Sequence, residues 1–239
     1  MFDKNSNVNI NAANLEKLGE GIDDDTVRFV VMGDPQRSHN EVNGFYKKVN
    51  SMKGIDFVII AGDISEFGIL KEMDAVANSL NNLNVPYLAV VGNHDLTARG
   101  REVFLRMYGA LNYSFVYGGV KFICHDTNSR EYNFNGTAPN IPWLEKELMP
   151  QSGVESYVAI SHVPPNSLDF DDAFVNEYAE VFSSTPGFLG SFHGHNHAFE
   201  EFQLADEDFS YVVTSTIGKK EFLLVEIIDN KLSFEQISF

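Results

Sequence analysis

Five short segments of the chain are rich in side chains that bind metal ions or carry protons. They lie at residues 33–37, 62–63, 92–95, 162 and 193–197, and they contain Asp, Asn, Gln and His but no Cys. Oxygen and imidazole donors without thiolate favour Mn, Fe, Zn or Mg over a soft metal or a structural zinc site. Because buried carboxylates and imidazoles are costly unless they are paired or metal-bound, these donors predict a metal centre. Their number favours two ions over one.

The first three of these segments follow short apolar runs that are typical of buried β-strands. The runs are residues 27–32 (VRFVVM), 57–61 (FVIIA) and 87–91 (YLAVV). Between them, apolar residues at helical spacing predict helices over 41–52 and 70–83. This alternation indicates parallel βαβ units, in which ligands bind beyond the carboxyl ends of the strands. We therefore expect the chemically active segments to lie at one edge of a sheet.

The second half of the chain is richer in strand than in helix. Turn signals at Gly118-Gly119 and Asp229-Asn230 predict hairpins, so that parallel and antiparallel pairing coexist. The pattern alone therefore predicts an α/β fold with a mixed sheet. The predicted strands are 114–125, 157–161, 188–192, 211–214, 222–228 and 232–237, and the predicted helices are 102–108 and 142–149.

The composition excludes several classes of protein. Of the 239 residues, 44% are hydrophobic and 21% are charged, as in ordinary globular domains. The 34 Asp and Glu residues outnumber the 17 Lys and Arg residues, and the net charge of −17 disfavours nucleic acid as a partner. The single Cys124 excludes an intramolecular disulfide framework. No apolar run approaches the roughly 18 residues that span a bilayer.

Residues 1–26 form a polar extension that precedes a domain predicted over residues 27–239. The extension is rich in Asn and Asp and lacks the basic and then apolar order of a secretory leader. It resembles the tether that follows the leader of bacterial exported lipoproteins. We therefore expect an exported or lipid-anchored protein whose leader is absent from this sequence, with a cytoplasmic protein as the alternative.

In chain order, the five segments resemble the signature of the calcineurin-like metallophosphoesterases. That signature consists of D-x-H, G-D, G-N-H-D/E, a lone His after a strand, and G-H-x-H. The resemblance extends over residues 27–230 and implies a four-layer α/β/β/α sandwich of two mixed sheets, with a dinuclear metal site at one edge. The matching residues are Asp34-Pro35-Gln36, Gly62-Asp63, Gly92-Asn93-His94-Asp95, His162 and Gly194-His195-Asn196-His197.

Carried over to this sequence, the family pattern implies two sets of metal ligands that share Asp63 as a bridge. One position departs from the pattern, because Gln36 stands where most members have His. A neutral amide oxygen is a weaker donor than imidazole, so we expect Mn to be favoured, with Fe, Zn or Mg as alternatives. The first set is Asp34, Gln36, Asp63 and His197, and the second set is Asp63, Asn93, His162 and His195.

The activity that the resemblance implies is hydrolysis of a small phosphomonoester, phosphodiester or nucleotide-like substrate. The nucleophile would be a hydroxide that bridges two divalent metal ions. His94 is expected to act as the general acid, oriented by the adjacent carboxylate of Asp95. Arg37, Arg99 and Asn166 are further candidates for contact with the substrate.

The sequence leaves two other functions open. The change at Gln36 is compatible with a catalytically weak metal- or ligand-binding module on the same scaffold, although the intact His94-Asp95 pair favours an enzyme. A nuclease of the same superfamily is the other alternative, against which the chain shows no evident basic patch. The sequence does not predict the physiological substrate, the native metal or the oligomeric state.

Overall fold

Two β-sheets pack face to face, and helices cover both outer faces. The computed structural model describes residues 6–19, 26–205 and 207–239. The helices are α1 (Ile10–Leu18), α2 (His39–Ser51), α3 (Leu70–Leu80), α4 (Gly100–Met107), α5 (Ile141–Glu147) and α6 (Val175–Ser183). The strands are β1 (Thr26–Met32), β2 (Phe57–Ile60), β3 (Tyr87–Ala89), β4 (Tyr113–Tyr117), β5 (Val120–Cys124), β6 (Ser156–Ile160), β7 (Phe188–His193), β8 (Glu200–Phe202), β9 (Ser210–Val213), β10 (Glu221–Ile228) and β11 (Lys231–Ser238).

Both sheets are mixed, as the resemblance implies. The first has the strand order β11-β10-β1-β2-β3, in which β1, β2 and β3 are parallel and β10 is antiparallel to β1. The second has the order β4-β5-β6-β7-β9-β8, in which β5, β6, β7 and β9 are parallel and the two outer strands are antiparallel to their neighbours. The parallel strands of each sheet therefore end on one side, where the loops with the chemically active residues begin.

The alternation of side chains along β1 explains how four layers arise. Phe29 and Val31 point into the core between the sheets, whereas Val30 and Met32 point outward into the core beneath α2, α3 and α4. Between the sheets, the ring of Phe29 meets the ring of Phe122 edge-on, with centroids 5.2 Å apart. A third apolar cluster joins the outer face of the second sheet to α5 and α6. The structure therefore has the predicted α/β/β/α arrangement.

Helix α1 lies in the segment that the sequence presents as a polar extension, and it covers the outer edge of the first sheet. Asn11 donates a hydrogen bond to the carbonyl of Ala89 at 3.0 Å and accepts one from its amide at 3.0 Å. Asn14 donates to the carbonyl of Tyr87 at 2.7 Å. The helix thus supplies side-chain amides in place of a neighbouring strand. Of the predicted extension, residues 1–5 and 20–25 lie outside the described residues.

The strands and helices predicted from the sequence are present, with shifted ends, except that the predicted strand 114–125 is divided into β4 and β5. Both predicted hairpins form. The sequence analysis does not predict α1, α6 or β8. In helix α1, the buried side chains of Asn11 and Asn14 interrupt the apolar face formed by Ile10, Leu15 and Leu18, so its apolar periodicity is weak. Strand β8 has only three residues and lies at the edge of its sheet. Within the described ranges, no helix is long and apolar enough to cross a membrane.

Candidate metal centre

Loops that follow β1, β2 and β6 bring three potential metal ligands together. Asp34, Asp63 and His162 each offer one ligand atom, and these atoms all lie within 4.8 Å of one another. The three side chains are buried, with exposures of 1%, 1% and 0%. Because two buried carboxylates are costly without positive charge nearby, the arrangement is suited to a cation.

One ring nitrogen of His162 is hydrogen-bonded to the backbone, and the other faces the centre, by which we mean the group formed by Asp34, Asp63 and His162. Its Nδ1 lies 2.6 Å from the carbonyl oxygen of Ala61 and donates a hydrogen bond to it. Its Nε2 lies 3.3 Å from Asp63 Oδ2 and 3.0 Å from Asn93 Oδ1. This hydrogen bond therefore leaves Nε2 as the atom available for a metal ion.

The loop after β7 adds two further imidazoles. The backbone amide of His195 donates to Asp34 Oδ1 at 3.1 Å, and its Nδ1 lies 3.1 Å from Asn93 Oδ1. His197 Nε2 lies 3.5 Å from the same Asp34 oxygen. Asn93, His162 and His195 thus gather around one amide oxygen, whereas His197 lies beside Asp34. The resemblance assigns Asn93, His162 and His195 to one ligand set and Asp34 and His197 to the other, and this ligation stays a prediction.

Gln36 also lies at the centre, although it departs from the family pattern. Its Nε2 donates to Asp63 Oδ2 at 3.2 Å and lies 3.4 Å from His197 Nε2. Its Oε1 is buried and has no hydrogen-bond partner among the described residues. Asp34 Oδ2 is a second buried oxygen in the same condition. Two unpartnered buried oxygens are costly in a folded protein, and a divalent cation would satisfy them, so the donor set fits a metal.

Four of the proposed ligands have backbone conformations that non-glycine residues seldom adopt. Asp34, Asp63, His195 and His197 have φ values of 50°, 54°, 74° and 55°. Left-handed backbone costs such residues roughly 1–2 kcal/mol each. Strain of this kind concentrates where function requires a particular side-chain direction, and here it turns the side chains toward a common point.

Asp63 and His162 form a buried ion pair. Burial raises the pKa of Asp63, but the interactions with His162 outweigh it and lower the pKa overall. Burial lowers the pKa of His162, but Asp63 outweighs it and raises the pKa to about 9. Burial, aided by His162, lowers the pKa of His195 to about 4, so that this ring is neutral at pH 7. A neutral imidazole is the form that binds a metal ion.

The sequence analysis expects the Asp95 carboxylate to orient His94, but the hydrogen bonds of this carboxylate go to other residues. The carboxylate is fully buried and accepts hydrogen bonds from the amides of Ile64, Ser65 and Gly92 at 3.1, 2.8 and 3.0 Å, and a further one from the Ser65 hydroxyl at 2.9 Å. It therefore ties the loop after β2 to the loop after β3. The role that the structure gives Asp95 is to hold these two loops together rather than to orient the neighbouring ring.

Glu66, which the sequence analysis missed, takes the place beside His94. His94 Nδ1 donates to the Glu66 carbonyl at 3.0 Å, and one oxygen of the Glu66 carboxylate lies 3.9 Å from the same nitrogen. The other carboxylate oxygen pairs with Arg37. The amide of His94 donates to Asp63 Oδ1 at 2.9 Å, which links the ring to the centre. No motif marks Glu66, because only the bend of its loop brings it to His94.

The three expected substrate contacts differ in position. Arg37 forms the ion pair with Glu66 described above, and its side chain is 70% exposed. Arg99 pairs with Glu102 at 2.5 Å, and its side chain is 82% exposed. Asn166 donates to Glu200 at 2.9 Å on the surface. Contact of these residues with a substrate stays a prediction.

Asp169 is a second residue that the sequence analysis missed. Its Oδ2 lies 3.3 Å from His195 Nε2, and its Oδ1 lies 2.7 Å from a guanidinium nitrogen of Arg130. It belongs to the long loop between β6 and α6. Its distance along the chain from the neighbouring motifs follows no recognisable pattern, so only the structure identifies it.

Comparison with known proteins agrees with this geometry. A family model described as calcineurin-like phosphoesterase matches residues 27–199. A probable cyclic nucleotide phosphodiesterase of Xenorhabdus bovienii is 21% identical over 160 residues, which are 62% of this chain and 64% of the relative. The match therefore spans less than two thirds of that relative.

Solved structures share the fold at low sequence identity. A dimetal phosphatase from Danio rerio aligns with a TM-score of 0.70 and 13% identity, over 90% of this chain and all of that one. GAP50, described as the anchor in the inner membrane complex of Plasmodium, aligns with a TM-score of 0.67 and 14% identity, over 90% of this chain and 85% of that one. At these identities the likeness establishes the fold alone.

Proposed function

This chain belongs to the calcineurin-like phosphoesterase family, and we propose that it is a metal-dependent hydrolase of phosphodiesters, with nucleotide-like diesters as its substrates. The observation that carries the proposal is the convergence of Asp34, Asp63 and His162 within 4.8 Å, beside buried oxygens that lack a partner. A structural role would not require three buried ligand-type side chains from the ends of three separate strands, nor two buried oxygens, of Asp34 and Gln36, without a hydrogen-bond partner among the described residues.

The proposed ligands divide between two cations. Asp34, Gln36, Asp63 and His197 would hold one, and Asp63, Asn93, His162 and His195 would hold the other. Divalent cations held there would supply a nucleophile at neutral pH and neutralise charge on the phosphate oxygens. Asp95 contributes by fixing the loops that carry Asp63 and Asn93 relative to each other.

His94 is the proposed general acid. Its Nδ1–H is bound to the Glu66 carbonyl, so its Nε2 is the nitrogen available to a leaving oxygen. With its side chain 37% exposed, the ring is accessible to a substrate. One oxygen of the Glu66 carboxylate lies 3.9 Å from Nδ1, on the side of the ring that carries the hydrogen bond to the Glu66 carbonyl.

Charge near the centre supports a diester over a monoester. A phosphomonoester carries about 1.5 to 2 negative charges at pH 7, whereas a diester carries one. Arg37 and Arg130 are paired with Glu66 and Asp169, the carboxylates that lie near His94 and His195 respectively. Their charge is therefore largely compensated, which favours the less charged substrate. The name of the Xenorhabdus relative points to the same class of substrate.

Hydrolysis of two chromogenic esters tests the proposal. Mn-loaded wild type is expected to hydrolyse bis(p-nitrophenyl) phosphate faster than p-nitrophenyl phosphate and to hydrolyse a cyclic nucleotide. Asp63→Ala should lose both activity and bound Mn, whereas the control Asp172→Ala, which removes an exposed carboxylate outside the centre, should retain them. Preference for the monoester would overturn the diester assignment.

Bound metal separates the proposal from its alternatives. Wild type that binds two equivalents of Mn and hydrolyses no ester would favour the binding module. In that case Gln36→His is the next variant, because a module that lost activity through Gln36 should gain it. Cleavage of single- or double-stranded DNA at low salt would identify a nuclease instead.

A further inference from the structure

His195 has two ring nitrogens with different environments. Its Nδ1 faces Asn93 Oδ1 at 3.1 Å, and the same amide oxygen lies 3.0 Å from His162 Nε2. Its Nε2 points away from these atoms and lies 3.3 Å from Asp169 Oδ2. If the ring binds a cation together with Asn93 and His162, the nitrogen that does so is Nδ1. The proton of a neutral ring must then be on Nε2.

Asp169 is held in place by groups other than His195. Its second carboxylate oxygen pairs with Arg130 at 2.7 Å, and the Arg130 backbone amide donates to the Asp169 carbonyl at 3.2 Å. Its own amide donates to the Ser167 hydroxyl at 3.2 Å. The carboxylate is therefore fixed by two loops, and its side chain is only 20% exposed. An ion pair with the 65% exposed Arg130 adds little stability by itself, so stability alone does not explain this arrangement.

We propose that Asp169 is a positioning residue that accepts a hydrogen bond from the Nε2–H of His195 and thereby presents the Nδ1 lone pair to a divalent cation. This inference rests on the proposed function, because it requires the second metal ion. Arg130 assists by holding the carboxylate in the required orientation. The distances at both ends of the ring carry the assignment, 3.1 Å from Nδ1 to Asn93 and 3.3 Å from Nε2 to Asp169.

The two neighbours of the ring favour opposite tautomers in the metal-free protein. The amide oxygen of Asn93 can only accept a hydrogen bond, so it favours the proton on Nδ1. The carboxylate of Asp169 also accepts only, and it favours the proton on Nε2. A cation must displace any proton on Nδ1, so its binding is weakened by the population of that tautomer. By raising the fraction of the other tautomer, Asp169 reduces this cost and makes Nδ1 a more basic ligand.

Nitrogen-15 NMR of metal-free protein tests the tautomer directly. Long-range correlations to the ring nitrogens of His195 should show a larger fraction of the Nε2–H form in wild type than in Asp169→Ala. Asp169→Asn keeps an oxygen that can accept the hydrogen bond from Nε2–H but lacks the charge. The fraction of the Nε2–H form in this variant should therefore lie between those of wild type and Asp169→Ala. Asp172→Asn is the matched control, because it removes the charge of a nearby exposed carboxylate and should leave the tautomer unchanged. Equal tautomer populations in wild type and Asp169→Ala would overturn the proposal.

Titration with Mn, followed by electron paramagnetic resonance, tests the consequence for metal binding. Asp169→Ala should lower the affinity for one of the two Mn equivalents by about 10- to 100-fold, as replacement of a carboxylate that is hydrogen-bonded to a metal-bound His does in other proteins. Asp169→Asn should recover part of this loss, which a general defect in folding would not explain. Urea unfolding in EDTA identifies any variant that is not folded, and the Asn variant then decides the question.

The outcomes separate the inference from the proposed function. Two equivalents in wild type with unchanged affinities in Asp169→Ala and Asp169→Asn would overturn the role of Asp169 alone. Fewer than two equivalents in wild type would overturn both. Equal loss of affinity for both Mn equivalents in Asp169→Ala would point to general electrostatics and also overturn the assignment. A loss of the same size in Asp172→Asn would have the same meaning.

Discussion

Gly62 lies against the ring of His162, and replacing it by Ala tests whether that ring must remain in place. Its backbone has a φ of +87°, and a Cβ atom there would lie 2.4 Å from His162 Nδ1 and 2.9 Å from Gly92 Cα. Ordinary contacts of a Cβ atom begin at 3.4 Å. Because the backbone of Gly92 also lies closer than an ordinary contact, the ring of His162 must retreat by about 1 Å to restore normal spacing.

A displacement of that size exceeds what a metal site tolerates. Imidazole nitrogens bind zinc, for example, at about 2.0–2.1 Å, and ligand distances in a metal site hold to about 0.2 Å. The shift also disrupts the 2.6 Å hydrogen bond between His162 Nδ1 and the Ala61 carbonyl. We expect Gly62→Ala to weaken Mn binding and to lower kcat/KM for a diester about 100-fold. That factor corresponds to about 2.7 kcal/mol of transition-state stabilisation.

Gly153→Ala is the matched control. Gly153 has a φ of +81°, and a Cβ atom there would meet no heavy atom within 4 Å. Both variants should therefore lose roughly 1–2 kcal/mol of unfolding free energy through left-handed backbone, but only Gly62→Ala moves a proposed ligand. The assays are Mn titration, diester hydrolysis, and urea unfolding in EDTA. Equal Mn affinity and equal kcat/KM in the two variants would refute the reasoning.

Three further predictions concern buried groups outside the centre. Burial lowers the pKa of His125 to about 4, below its ordinary value in the unfolded chain. The free energy of unfolding is therefore highest above about pH 6.5 and falls at lower pH, where the unfolded state takes up a proton that the folded state does not. From about pH 7.5 to pH 5, the free energy of unfolding in urea should fall by about 2 kcal/mol more in wild type than in His125→Gln, and parallel pH profiles of the two proteins would contradict this. Asn11→Ala removes both hydrogen bonds to Ala89 of the edge strand and should lower the free energy of unfolding by about 2 kcal/mol, whereas a loss below about 0.5 kcal/mol would show that the edge is satisfied otherwise. Burial raises the pKa of Cys124 to about 12, so a disulfide reagent should modify the urea-unfolded protein but not the native one, and equal rates would refute this.

Much of the fold was predictable because its signals are local. The apolar runs that become β1, β2 and β3 lie between helices with clear periodicity, and Asp229-Asn230 forms the turn that its residue types predict. Helix α1 was not predictable in this way. Its stability depends on hydrogen bonds from Asn11 and Asn14 to a strand more than seventy residues away, and no local pattern reports such a partner.

The centre shows the same division. The order and type of the motif residues predicted Asp34, Asp63 and His162 as neighbours, since parallel strands end at one edge of a sheet. The residues that support them could not be assigned correctly. Asp95 is adjacent to His94 in the chain, yet its carboxylate points into the loops and Glu66 lies beside the ring instead.

The sequence by itself determined the residue types at the strand ends, the alternation of strand and helix, and the family to which these patterns belong. Only the tertiary structure decided which atoms meet. Asp169 lies beside the ring of His195, and Asp34 accepts a hydrogen bond from the His195 backbone amide. These residues are far apart in the chain, and no sequence pattern links them. The physical reason is that periodicity and turn chemistry act between near neighbours, whereas these contacts depend on sheet register and on the left-handed backbone that aims each loop.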